Sequence, residues 1–130
     1  MTTEVRILIL DDERIVCDRL RPALEKLGYH VEALTDSRAA VERLSKGRID
    51  VLVTDLKMPG VGGIDVLRFV RDHRMATKVV VISGFATAQT AHEAMELGAA
   101  AFLPKPFKLS QLRDVVVRLA GELHPVTPGQ

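Results

Sequence analysis

The chain has 130 residues, 47% of them hydrophobic and 27% charged, with no Trp; this is the make-up of one globular domain with an aliphatic core, and it excludes a disordered chain or a coiled coil. The formal net charge is +1, and the most basic stretch, Arg68 to Arg74, is broken by Asp72, so the clustered basic excess of a phosphate-contacting nucleic-acid binder is missing. The single cysteine, Cys17, allows no internal disulfide, MTTEVRILIL lacks the basic start of a signal peptide, and no apolar stretch approaches the ~20 residues of a membrane span; a cytoplasmic protein is expected, touching neither nucleic acid nor membrane.

Apolar β-branched runs alternate with helical patterns along the chain. Residues 5–10 (VRILIL) read as a strand. A helix follows over 14–27, with Ile15, Leu20, Leu24 and Leu27 at helical spacing, closed by Gly28 as a C′ glycine. Residues 30–34 form a shorter strand, and 37–44 a helix that Asp36 or Ser37 can cap. Residues 51–54 are a third strand, MPGVGG at 58–63 is loop, and 64–73 is a helix with Val66, Leu67 and Val70 inward. A fourth strand spans 78–82 (KVVVI), a helix 87–97 ends at Gly98, and a fifth strand spans 99–103. Residues 104–106 are a rigid connection and 110–120 the last helix. One domain is expected over 4–121. Residues 122–130, ending in HPVTPGQ, read as a tail or a cut linker.

Five strand–helix units with near-continuous apolar strands call for a parallel sheet covered by helices on both faces. In such a sheet the carboxyl ends of all strands share one edge, and ligands bind there. The polar residues fall at those ends. The first strand runs into Asp11-Asp12-Glu13, the third into Asp55, the fourth into Ser83-Gly84 and the fifth toward Lys105-Pro106. Each has a plainer alternative: Asp11 and Asp12 can cap a helix, Asp55 can start a turn, Ser83 can be loop and Lys105 can be solvated. Together they bring three carboxylates, a hydroxyl and an ammonium to one place. Three close carboxylates repel one another, and a hard divalent cation resolves the repulsion. Mg²⁺, or Mn²⁺, suits oxygen ligands, whereas zinc or copper would want the His or Cys that these positions lack. One carboxylate beside Mg²⁺ and Lys105 is a workable phosphoryl acceptor, since phosphoryl transfer asks mainly for positioning and charge neutralisation.

LILDDE, VTDLKMPGVGGIDVL, VVVISG and AFLPKPF resemble the motifs of receiver domains of two-component response regulators, over about residues 4–121. The resemblance implies a flavodoxin-like, doubly wound, five-stranded sheet of order 2-1-3-4-5. It implies Asp55 as phosphoacceptor, Asp12, Asp55 and the backbone carbonyl of Lys57 as Mg²⁺ ligands, and Asp11 acting through a metal-bound water. It makes Lys105 and Ser83 the groups that receive the phosphoryl charge, and Ser83 and Phe102 the switch that relays the event to the face of helix 87–97, strand 99–103 and helix 110–120. Lys105-Pro106 matches a cis-proline position. Phe102 lacks the hydroxyl of the tyrosine many relatives carry. Lys57 and Phe85 are expected to modulate the site, Phe85 by shielding it from water and slowing hydrolysis. The implied partners are a histidine kinase or phosphotransfer protein, docking near helix 14–27, and a downstream protein or fused effector domain. The chain is expected to be a monomer or to dimerise on phosphorylation. The segment from Val81 to Phe107 is similar to receivers that precede ATPase-type transcription activators.

The rivals are weaker. A receiver-like scaffold without phosphate turnover has no need of the intact Asp11, Asp12, Asp55, Ser83 and Lys105 set. An aspartate-based phosphohydrolase wants a second Asp where Lys57 stands. A flavodoxin-like cofactor binder wants a phosphate loop where Asp11-Asp12-Glu13 stands. The glycines at 60, 62 and 63 do not form a P-loop. His30, His73, His92 and His124 fall outside the acidic cluster, and Cys17 reads as packed.

Overall fold

The computed structural model describes residues 4–56, 62–84 and 87–123. Lys57, Phe85, most of the 58–63 loop and the segment 124–130 lie outside them. The elements alternate strictly: β1 (Arg6–Leu10), α1 (Arg14–Glu25), β2 (His30–Leu34), α2 (Ser37–Lys46), β3 (Val51–Asp55), α3 (Gly63–Asp72), β4 (Lys78–Ser83), α4 (Ala88–Glu96), β5 (Ala101–Pro104) and α5 (Leu109–Leu123). The five strands pair in parallel in the order β2-β1-β3-β4-β5, the flavodoxin-like topology expected from the sequence.

Strand pleating divides the core in two, because successive side chains point to opposite faces. Ile7, Ile9, Val51, Val53, Val80 and Ile82 face α1 and α5, where Leu20, Leu24, Leu112 and Val116 cover them. Leu8, Leu10, Leu52, Val79 and Val81 face the other way, under Ala40, Leu44, Val66, Leu67 and Ala94 of α2, α3 and α4. The fully buried centres of both layers are aliphatic, with Phe69 and Phe102 packed against one and Tyr29 and Phe107 against the other.

Several boundaries differ from the sequence reading, for local reasons. The 99–103 strand begins only at Ala101. Residues 98 and 99 instead close α4: Gly98, at φ +96, donates its N–H to the Met95 carbonyl, and Ala99 donates to that of Ala94, the paired bonds of a Schellman ending. The same pair closes α3, from Arg74 to Arg71 and from Met75 to Val70, with Arg74 itself at φ +49 where a glycine is usual. α1 stops at Glu25, where Leu27 reaches back only to the Leu24 carbonyl, a tighter turn than the α-helix. α3 starts one residue early, at Gly63, which the sequence reading assigned to loop. α2 runs on to Lys46, and α5 extends to Leu123.

The inward stripe of α1 also differs. Cys17, Leu20 and Leu24 are buried, whereas Ile15 is 69% exposed and Leu27 40%. Positions 17, 20 and 24 lie on one helical face, and Ile15 points about 200° away from Cys17 at 100° per residue. Ile15 lines a recess with Val16, Leu20, Pro106, Phe107 and Leu109, edged by the charged Glu13, Arg19 and Lys105. Leu52, in the centre of the sheet, is fully buried. Leu52→Ala is therefore expected to lower the unfolding free energy by about 3 kcal/mol, and Ile15→Ala to change it by no more than about 0.5 kcal/mol, both read by urea denaturation.

Candidate functional site

Strand register brings the polar residues together. Leu10 lies opposite Thr54, so Asp11, one step on, faces Asp55. Asp55 lies opposite Ile82, and Ser83 opposite Pro104. One bond beyond the ladder, the Lys105 N–H donates to the Ser83 carbonyl at 2.8 Å. The strand ends thus line up as Asp11, Asp55, Ser83 and Lys105 on a single edge. β3 and β4 each run one residue longer than the sequence pattern suggests, and take in Asp55 and Ser83 themselves. The acceptor candidate and the hydroxyl are held by ladder hydrogen bonds rather than by loop. Ser83 is fully buried.

The Lys105 ammonium closes the site. Nζ donates to Asp11 Oδ2 and to Asp55 Oδ2, both at 2.9 Å. The lysine follows a short strand and precedes a cis peptide to Pro106, and its side chain lies over the edge on the two carboxylates. Asp11 is completely buried, Asp55 is 7% exposed and Asp12 is open to solvent. The three carboxylates each offer an oxygen, and these atoms lie within 4.8 Å of one another. Asp11 does not cap α1 in the usual way. Its Oδ1 accepts the N–H of Glu13, which is the N-cap residue and has no side-chain cap of its own.

The electrostatics are unbalanced. Burial raises the Asp11 carboxyl above the ordinary range, against the lowering effect of its bond to Lys105. At Lys105, burial works to lower the ammonium, but the bonds to Asp55 and Asp11 outweigh it and leave it raised. One ammonium therefore stays firmly charged yet does not fully compensate the carboxylates around it. The donor set is all oxygen and partly open at Asp12, which fits a hard divalent cation that keeps its waters. No His or Cys joins the cluster among the described residues. Cys17 is near but turned away from this chemistry: Sγ lies 3.6 Å from the Asp11 carbonyl, and burial pushes the thiol up, which keeps it unreactive.

Residues 7–117 match the family described as the response regulator receiver domain. The chain belongs to that family. The receiver is 35% identical over 118 residues to the regulatory protein AtoC of Escherichia coli, spanning 91% of this chain and 26% of that protein. It is 28% identical over 130 residues to the transcriptional regulatory protein FixJ of Bradyrhizobium diazoefficiens, spanning all of this chain and 63% of FixJ. The crystal structure of FixJ-N superimposes with a TM-score of 0.84 at 31% identity, covering 97% of this chain and 99% of that one. The chemotaxis protein CheY4 of Vibrio cholerae does so with a TM-score of 0.83 at 26% identity, covering 90% and 99%. The receiver thus spans between a quarter and two thirds of the length of these curated relatives. Receiver domains partner with histidine kinases in two-component signalling, as regulatory phosphoacceptors rather than enzymes in their own right.

Of the residues singled out in the sequence, the receiver brings Asp11, Asp12, Asp55, Ser83 and Lys105 to one edge. Phe102 pairs in register with Val81, is half-buried and packs against the α4 side of the core. Lys57 and Phe85 lie outside the described residues. The described histidines are elsewhere: His30 near Glu4 and Glu32 on the edge strand, His73 against Phe69, and His92 on Glu96. Two contacts escaped the sequence reading. The Thr54 hydroxyl donates to the Asp55 carbonyl at 3.0 Å, and Gly63 packs against that same carbonyl. The only sequence sign was the glycine doublet opening α3. Among the described residues, no helix is long and apolar enough to cross a membrane.

Replacing Lys105 leaves Asp11 and Asp55 buried side by side without their shared cation. Lys105→Met is expected to lower stability at neutral pH by about 3 kcal/mol, measured by denaturation without divalent metal. Burial already raises the Asp11 carboxyl, and the variant loses the Lys105 bond that opposes this rise, so the Asp11 contribution to stability is present at low pH and lost as pH rises through its folded value. The deficit should therefore shrink as pH is lowered into the carboxylate range.

Proposed function

We propose that this receiver is a phosphorylation switch in which Asp55 accepts a phosphoryl group from a histidine kinase or phosphotransfer protein, in a Mg²⁺-dependent reaction. The observation that carries this reading is the Lys105 ammonium held at 2.9 Å from Asp55 and Asp11, beside a third carboxylate, Asp12. Asp12, Asp55 and the Lys57 carbonyl would hold the cation directly, and Asp11 would hold one of its waters. When bound, the cation supplies positive charge to the oxygens of the incoming phosphoryl group. Lys105 fixes the Asp55 carboxylate and offers its charge to those oxygens, while Ser83 offers its hydroxyl. An Asp55 oxygen forms the new bond to phosphorus as the donor's bond to phosphorus breaks, and the electron pair leaves with the donor.

The phosphoryl group, with about two negative charges, replaces the single charge of the Asp55 carboxylate, and its oxygens compete for Lys105 and Ser83. In this reading Ser83 moves toward the phosphoryl group, Phe102 packs inward, and the face of α4, β5 and α5 changes shape. Phe102 starts half-buried, which leaves it burial to gain. A kinase or phosphotransfer protein would dock over α1, where Ile15 and the recess beneath it adjoin Lys105. A downstream protein or a fused effector domain would read the output, in the cytoplasm, from a monomer or a phosphorylation-induced dimer.

Incubation with acetyl phosphate and Mg²⁺ should add one phosphoryl group by intact mass, and Asp55→Asn should abolish the gain. A chain that gains nothing with either Mg²⁺ or Mn²⁺ is a scaffold instead. Phe85→Ala should shorten the lifetime of the phosphorylated protein, followed by loss of that mass; an unchanged lifetime removes the shielding role.

A further inference from the structure

Gly63 opens α3 and is buried. A Cβ placed on it would lie 1.8 Å from the Asp55 carbonyl oxygen, 2.8 Å from the Asp55 carbonyl carbon and 2.9 Å from the Leu56 Cα. Its φ lies outside the left-handed region, so the need for glycine is one of space and not of backbone freedom. The backbone of α3 rests directly on the peptide that follows the acceptor residue.

Neither side of this contact yields easily. On the helix side, Asp65 Oδ2 accepts the Gly62 N–H at 3.1 Å and fixes the first turn. Val66 and Leu67, fully buried, pin that turn to the sheet. On the strand side, Asp55 is the last ladder residue of β3, paired opposite Ile82. The fully buried Thr54 donates its hydroxyl to the same Asp55 carbonyl at 3.0 Å. One carbonyl is thus set by a hydroxyl and by a helix start, and its plane orients both the Asp55 side chain and the chain leading to Lys57.

We propose that Gly63 and Thr54 are positioning residues for phosphoryl transfer: together they fix the Asp55–Leu56 peptide, and through it the aim of the acceptor carboxylate and of the backbone that follows it. The inference rests on Asp55 being the acceptor. Neither residue touches the phosphoryl group. Their effect is on geometry, where a displacement of about 1 Å costs up to about 100-fold in rate and loss of a group orienting a metal ligand costs about 10- to 100-fold in affinity.

The test compares Gly63→Ala, Thr54→Val and Thr54→Ser with the wild type and with Gly121→Ala, a control whose added Cβ meets nothing within 4 Å. Far-UV circular dichroism reports folding. The Asp55 carbonyl carbon and Leu56 amide nitrogen shifts, by NMR of metal-free protein, report the peptide itself. Mg²⁺ titration and the rate of phosphoryl uptake from acetyl phosphate at saturating Mg²⁺ report function. Gly63→Ala is expected to stay folded, to move both shifts, and to weaken Mg²⁺ binding and slow uptake by about 10- to 100-fold. Thr54→Val should move them in the same direction by less, and Thr54→Ser should restore wild-type behaviour. A folded Gly63→Ala with wild-type affinity and rate overturns the proposal. Should Gly63→Ala not fold, the Thr54 pair decides: an impaired valine with a normal serine supports it, and a wild-type-like valine overturns it. A wild type that takes up no phosphoryl group overturns the acceptor reading as well; a wild type that is phosphorylated alongside unaffected variants overturns only this inference.

Discussion

The bond pair from Lys105 to Asp11 and Asp55 is the constraint that the rest of the receiver serves. It joins residues 94 and 50 positions apart in sequence. Burying two carboxylates is costly unless a cation shares them. The sheet bears that cost with an interior of aliphatic strands that leaves no freedom in where their ends fall. β1, β3, β4 and β5 each deliver one member, and a slip of one residue in any strand would turn that member to the wrong face. The site depends on register, and register depends on the two apolar layers above and below the sheet.

The site is held more tightly than the charges alone require. Asp11 is tied through its own N–H to Leu34 of β2 and through its carboxylate to Glu13 and Lys105. Ser83 is tied through its carbonyl to the Lys105 backbone. Asp55 is gripped at its carboxylate by Lys105 and at its carbonyl by Thr54 and Gly63. Asp12, by contrast, is open to solvent. The cluster thus has buried carboxylates on its inner side and one carboxylate open to solvent.

The opposite edge of the sheet has a different task. Asp50, buried there, accepts from the Arg6 backbone and from Arg48, while Arg48 also reaches the Glu4 carbonyl. The Asp50 backbone bonds both Arg6 and Lys78. This network fastens the starts of β1, β3 and β4 at the edge away from the acidic site. Its charges are matched nearly one to one, as a structural ion pair needs, whereas the acidic edge is left short of positive charge.

The parallel sheet, its two helical layers and the gathering of Asp11, Asp12, Asp55, Ser83 and Lys105 were legible in the residues, because apolar periodicity is a local property and a parallel sheet gathers its carboxyl ends on one edge; the strand order came only from the resemblance of the motifs to receiver domains. What the sequence could not supply were facts set by distant neighbours. Ile15 carries the same apolar signal as Leu20, yet only packing against α5 and β2 decides that the stripe of Cys17, Leu20 and Leu24 turns inward. Ala99 looks like the start of a strand until the Ala94 carbonyl at the end of α4 claims its N–H. Gly63 reads as loop because a glycine doublet says only that the chain is permissive; that a helix start is pressed against the Asp55 carbonyl is visible only when both segments are in place. Chemistry was written in residue type and spacing, which are one-dimensional. Aim and closeness of contact arise between segments far apart in the chain, and only the folded structure decides them.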